Sequence, residues 1–198
     1  DPSKCVRPEQ DRPPLPRAAK MASPTEYLKL VNRLVQANMV EFTTTPIVVN
    51  GVFTVPKPDG TQRFIVDARR ANSVFAEPPH VSLPTPDLLP RLIVPDNKPV
   101  WVAKSDLSDF FFRFRIPAWM VPYFGLPSIS SNSIPTLLAR FGPNVTVYPC
   151  LVVLAMGWSH SVYLTQTAHE HMLNTRTTLR PEDRITRTAD LRIDRVRQ

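Results

Sequence analysis

Residues 52–72 read VFTVPKPDGTQRFIVDARRAN. Two β-type runs, residues 52–55 and 63–66, flank Pro58-Asp59-Gly60. Proline presets φ for the first turn position, aspartate can bond its own backbone two residues on, and glycine accepts a positive φ, so the stretch is predicted to be a hairpin. Its tip carries Lys57 and Arg63 on opposite sides of a tight turn. Two cations over a short distance are what a triphosphate requires of a protein without a glycine-rich phosphate loop. A solvated charged tip is the plainer alternative.

On the N-terminal side, Ser23-Pro24-Thr25-Glu26 opens a helix: Ser23 can cap it, Pro24 suits its first position, and Glu26 can reach back to complete a capping box. Leu28, Val31, Leu34 and Val35 continue the helical stripe to about Met39. Residues 47–49 form a further β-type run. The first 22 residues carry Pro2, Pro8, Pro13, Pro14 and Pro16 among charges and read as an extended lead-in.

On the C-terminal side, residues 76–99 are broken by seven prolines, with room for a short helix at 87–92. Residues 100–105 read as a strand leading into Asp106. Phe112, Phe114 and Ile116 then alternate with Arg113 and Arg115, as a half-buried strand would. Two apolar runs follow at 145–147 and 150–154, then Gly157-Trp158 and a helix over 161–173. The last 25 residues are arginine-rich, either a solvated helix or the start of a further element.

Composition narrows the function. The chain has 198 residues, with 23 prolines and only 5 glycines, which removes P-loop and dinucleotide fingerprints. Cys5 and Cys150 offer neither zinc spacing nor a disulfide framework, so an intracellular, reduced protein of cytoplasm or nucleus is expected. No apolar run approaches a membrane span, and no membrane partner is expected. The first residue is Asp1, so a processed, trimmed or incomplete product is expected. The net charge is +7, and 18 of the 24 basic residues are arginine, so nucleic acid is the partner this charge most favours, with a merely solubilising surface an equal alternative on composition alone.

Two more constellations stand beside the hairpin. In Ala103-Lys104-Ser105-Asp106-Leu107-Ser108-Asp109-Phe110-Phe111-Phe112, a carboxylate at a strand end can hold a divalent cation with an adjacent carbonyl; the alternative makes Asp106 a cap and the phenylalanines core. In Met156-Gly157-Trp158-Ser159-His160-Ser161, a glycine turn with an exposed tryptophan can stack under a base; the alternative is an ordinary helix start capped by Ser159 or Ser161. His169 and His171, two apart on a helix, point to opposite sides and do not chelate together. Cys150 reads as core.

Taken in order, K-x-D-G-x-x-R, V-D-x-R-x-x-N, D-L-x-D-F-F and G-W-x-x-S-x-x-x-x-Q resemble the fingers and palm of a reverse transcriptase of the retroviral and retrotransposon kind, over residues 23–173. The resemblance implies an α+β, right-hand polymerase architecture: an extended, proline-rich lead-in over 1–22, a fingers-like region with the hairpin over 23–99, and a partial palm over 100–198 whose antiparallel sheet packs on helices. It implies an RNA template, a DNA primer and deoxynucleoside triphosphates as partners, and Mg²⁺, with Mn²⁺ as a substitute, as cofactor. Asp106 and the Leu107 carbonyl would hold metal. Lys57 and Arg63 would bind the triphosphate, with Asp109, Phe110, Phe111, Met156 and Gly157 beside the nucleotide. Phe111 matches the aromatic gate that excludes a ribose 2′-hydroxyl, which argues against an RNA-copying RNA polymerase. Asp67, Arg69, Asn72, Trp158, Ser161 and Gln166 would support the template.

Three positions depart from the family's pattern: Met156 stands for a glutamine, Val162 for a proline and Phe110 for a small residue. The family's Tyr-x-Asp-Asp turn, whose aspartates complete the two-metal site, does not occur in the sequence. Asp190 and Asp194 are the late acidic residues, and neither follows a tyrosine. The expectation is therefore a polymerase fragment, inactive by itself, truncated before that motif and without thumb or ribonuclease H. The competing expectation is a non-catalytic nucleic-acid-binding relic of such an enzyme.

Overall fold

The structure, a computed structural model, describes residues 5–19, 23–83, 85–91, 93 and 106–180. The chain falls into two units, each discontinuous in sequence: Asp1–Pro78 with Asp109–Ser161, and Pro79–Ser108 with Val162–Gln198.

In the first unit, helix α1 spans Pro24–Gln36, with the Ser23 side chain accepting from the Glu26 amide. The Glu26 carboxylate does not close a capping box; it meets Lys29 at 2.8 Å. Tyr27, Val31 and Leu34 form the buried stripe. The helix stops short of Met39 because Asn38 adopts a left-handed φ of 54°. The Asn38 amide then donates to the Val35 carbonyl and the Met39 amide to Leu34, a closing pair that satisfies the last carbonyls.

That turn launches β1, Val40–Thr43, into a three-stranded antiparallel sheet of order β1-β5-β4, with β4 at Ile129–Ser130 and β5 at Thr146–Leu151. Val40 pairs with Leu151 and Ile129 with Val147. Helix α3, Pro135–Phe141, lies in the β4–β5 connection, opened by a proline and stopped by Gly142 at φ 83°. The hairpin forms from β2, Gly51–Pro56, and β3, Gln62–Asp67, and is followed by α2, Arg69–Val74.

The core gathers around Phe75, whose ring lies 5.1 Å from Trp158, 5.3 Å from Tyr123 and 5.9 Å from Phe124. Centroid separations of this size suit edge-to-face and offset packing.

Several expectations need correction. Residues 112–116 are not one strand. Asp109 takes a left-handed φ of 53° and starts a 3₁₀ turn, Phe110–Arg113; only residues 114–116 extend, with Leu154 N–H donating to Phe114 and Ile116 N–H to Val152. Residues 47–49 make a single bridge, Val49 to Gly125, rather than a strand. The runs at 145–147 and 150–154 merge into β5 and its continuation. Within the lead-in, Glu9–Asp11 forms a 3₁₀ turn, and residues 5–7 are tied down by backbone pairing, with Cys5 and Val6 also packed on the core. Arg7 N–H donates to Val74 and Ala76 N–H to Cys5, both at 2.8 Å, around a Val6–Phe75 bridge.

In the second unit, a 3₁₀ helix covers Pro86–Arg91. Helix α4, Ser159–Arg176, begins in the first unit and supplies the second from Val162 onward. The strand expected over 100–105, the arginine-rich segment beyond 180, Asp190 and Asp194 lie outside the described residues. Among the described residues no helix is long and apolar enough to cross a membrane.

Candidate functional site

The hairpin register sorts its side chains. Val52 and Val66 pair and are buried, while Phe53 and Val55 are exposed on the opposite face. Arg63 pairs with Val55, and strand alternation carries Lys57 to that outer face as well. Arg63 is exposed and Lys57 half-buried. The tip is closed by Lys57 N–H donating to Thr61, and by Asp59, whose carboxylate accepts from the Thr61 hydroxyl at 2.6 Å and amide at 2.9 Å. Those bonds, with Lys57 nearby, hold the Asp59 carboxyl below its ordinary range. A rigid tip thus presents two cations on one face.

At the base of the hairpin the residues turn inward. Asp67 is buried and paired with Arg69 through two bonds, Nε to Oδ1 at 2.7 Å and Nη2 to Oδ2 at 2.8 Å, and also accepts from the Ala19 amide. The Arg69 bond outweighs burial and holds the Asp67 carboxyl down to about 2. Asn72 reaches the Met156–Ser161 constellation: its Nδ2 donates to the Gly157 carbonyl at 3.1 Å and its Oδ1 accepts from Ser159 N–H at 2.9 Å. A residue from α2 thus satisfies an amide at the start of α4, work that neither nearby serine does. The Ser161 hydroxyl instead donates back to the Ala155 carbonyl.

Val66 N–H donates to the Met156 carbonyl, and Gly157 packs so closely that a Cβ there would lie 2.1 Å from the Val66 oxygen. Its φ of 118° independently requires glycine. Trp158 is not exposed, contrary to the sequence reading. It is 4% accessible, packed on Phe75, Phe124 and His160, so its ring supports the turn from within and cannot stack on a base. Burial also pushes the His160 pKa down.

Asp109, exposed, precedes the 3₁₀ turn that holds Phe110 and Phe111; both rings are half-buried, and Phe111 packs against the core. Asp106 and Leu107 fall in the second unit and are exposed. So does Gln166, whose amide donates to Glu170. Among the described residues no three His, Cys, Asp or Glu side chains form a metal-holding group. An exposed carboxylate with a backbone carbonyl on the next residue fits a minimal Mg²⁺ donor set, since that ion takes one or two carboxylates and completes its shell with phosphate oxygens and water. Cys150 is buried, its thiol pushed up to about 12 by burial and by Glu41, which makes it inert core.

Two residues were not singled out from sequence. Asn50 is fully buried, donating to the Tyr123 and Gly125 carbonyls and accepting from Ala71 N–H. Arg70 donates to Pro16 and Val49. Their partners are backbone groups distant in sequence, which no local spacing announces.

No protein-family model matches the chain. It is 32% identical over 165 residues to the Gag-Pro-Pol polyprotein of Human T-cell leukemia virus 3 (strain 2026ND), and equally to that of strain Pyl43, the match covering 81% of this chain. The chain spans 10% of the length of those polyproteins. It also shares its fold with a foamy viral protease-reverse transcriptase solved in complex with double-stranded DNA. There the TM-score is 0.54 at 16% identity, covering 82% of this chain and 25% of the other. The α+β fold is therefore one shared with part of that protease-reverse transcriptase.

Proposed function

We propose that the chain is the fingers and partial palm of an RNA-directed DNA polymerase that extends a DNA primer on an RNA template with deoxynucleotides. The observation that carries this reading is the Asn72 clasp. Two signature segments 85 residues apart are hydrogen-bonded into one unit, in a chain related to retroviral Pol. The structural neighbour was solved with double-stranded DNA, which supports nucleic acid as partner.

In this reading Lys57 and Arg63 neutralise the triphosphate, and Phe111, with Phe110 and Asp109 beside it, selects deoxyribose. Met156 and Gly157 face the nucleotide. Asp67, Arg69, Asn72, Trp158 and Ser161 serve the template by fixing the backbone around it, and Gln166 extends that support along α4. Asp106 and the Leu107 carbonyl hold Mg²⁺, or Mn²⁺ in its place. When bound, the metal stabilises the charge of the entering and leaving oxygens.

One carboxylate does not hold two ions, so the 198 residues by themselves bind without extending. A nucleic-acid-binding relic of such an enzyme is the second reading, in which the net charge of +7 serves binding alone.

Primer extension on RNA by the longest product of the source transcript separates the two. Extension that Asp106→Asn lowers by about a hundredfold or more supports the polymerase. Salt-sensitive binding without extension, indifferent to Asp106→Asn, supports the relic.

A further inference from the structure

The lead-in is rich in proline, so over residues 13–16 it offers backbone carbonyls but only the Leu15 N–H. Pro13, Pro14 and Pro16 lack the amide hydrogen altogether. A guanidinium is the complementary partner, with five donors and no acceptor. Two guanidiniums stand at the start of α2. Arg70 Nε donates to the Pro16 carbonyl at 2.7 Å and Nη1 to Val49 at 3.1 Å, while Arg69 Nη2 donates to the Arg17 carbonyl at 3.1 Å. Asp67 accepts the Ala19 amide at 2.8 Å. Gly51, the first residue of β2 and the register partner of Asp67, leaves room for the crossing chain: a Cβ there would lie 2.3 Å from the Ala19 oxygen. The start of β2, the end of β3, the start of α2 and residues 16–19 are fastened at one point.

We infer that Arg70 is a positioning residue which, with Asp67 and Arg69, grips the backbone of residues 16–19 and so fixes the base of the β2–β3 hairpin, whose tip carries Lys57 and Arg63. This rests on the proposed function only for its consequence, the aim of the two cations. A two-stranded ribbon is marginal alone, so where its base is held decides where its tip points. The prolines lower the entropy lost when the strap docks. Asp67 and Arg69 act through the strap and need no contact with nucleic acid.

The test compares the 198-residue chain with Arg70→Ala, and with Ala19→Pro, which deletes the N–H that Asp67 accepts and also fixes φ at that position. Three readouts are followed: tryptic cleavage at Arg17–Ala18, amide exchange across 51–67, and Mg·dTTP affinity. Amides of β1 and β5 certify the fold. Both variants are expected to cleave and to exchange in the hairpin about tenfold faster, with β1 and β5 unchanged. Nucleotide affinity should fall severalfold.

A strap that stays protected, or a strap set free while hairpin exchange stays within about twofold of wild type, overturns the inference. Should Arg70→Ala also loosen β5, Ala19→Pro decides by the same comparison. If hairpin exchange rises but neither wild type nor variants bind Mg·dTTP, the strap role stands and the nucleotide reading fails.

Discussion

Gly157 is constrained twice, by a φ of 118° and by the Val66 oxygen 2.1 Å from any added Cβ. Gly157→Ala is expected to cost about 3 kcal/mol or more, read as a lowered urea midpoint. Asn72→Ala removes two bonds to the same turn and should cost about 1–3 kcal/mol. Asp67 sets an acid limit. Its folded carboxyl, at about 2, lies below the unfolded value of about 3.9, so its contribution is fully present above about pH 4 and lost as pH falls through about 2. That contribution is about 2 kcal/mol at neutral pH, and urea unfolding of Asp67→Asn should show a flatter acid limb. His160 titrates higher. Its pKa is lowered by burial, so the neutral form favours folding and stability declines as pH drops below about 6.5.

Among elements, the hairpin and α1 were legible because local chemistry decides them: a Pro-Asp-Gly turn between β-type runs, and a serine cap followed by proline. The 3₁₀ turn at Phe110–Arg113 was not, since alternating Phe and Arg imitates a strand and only the left-handed Asp109 breaks the pattern. Helix α3 went unread despite Pro135 and Gly142 marking its ends. β1 follows a turn made by Asn38 and was hidden in the tail of the helical stripe. The candidate site was legible as residue types, while tertiary packing decided what they do. Trp158 read as a stacking platform from its place after glycine, but Phe75, Phe124 and His160 enclose it. Trp158→Ala should therefore destabilise the fold by about 3–5 kcal/mol, measured by thermal unfolding, with any loss of nucleic-acid binding tracking the unfolded fraction.

For the whole molecule, the net charge of +7 fits the nucleic-acid partner proposed above, and the fold shared with part of a protease-reverse transcriptase supplies the frame. Charge alone distinguishes little, because any cationic binder loses affinity with salt. What sets this chain apart is a rigid, strapped hairpin with Lys57 and Arg63 on one outer face. Equilibrium titration of Mg·dTTP against wild type and the Lys57→Ala, Arg63→Ala double variant tests that claim most directly. The account predicts binding weakened by about tenfold or more in the variant, with the hairpin still folded. Equal affinity in the two proteins would contradict it.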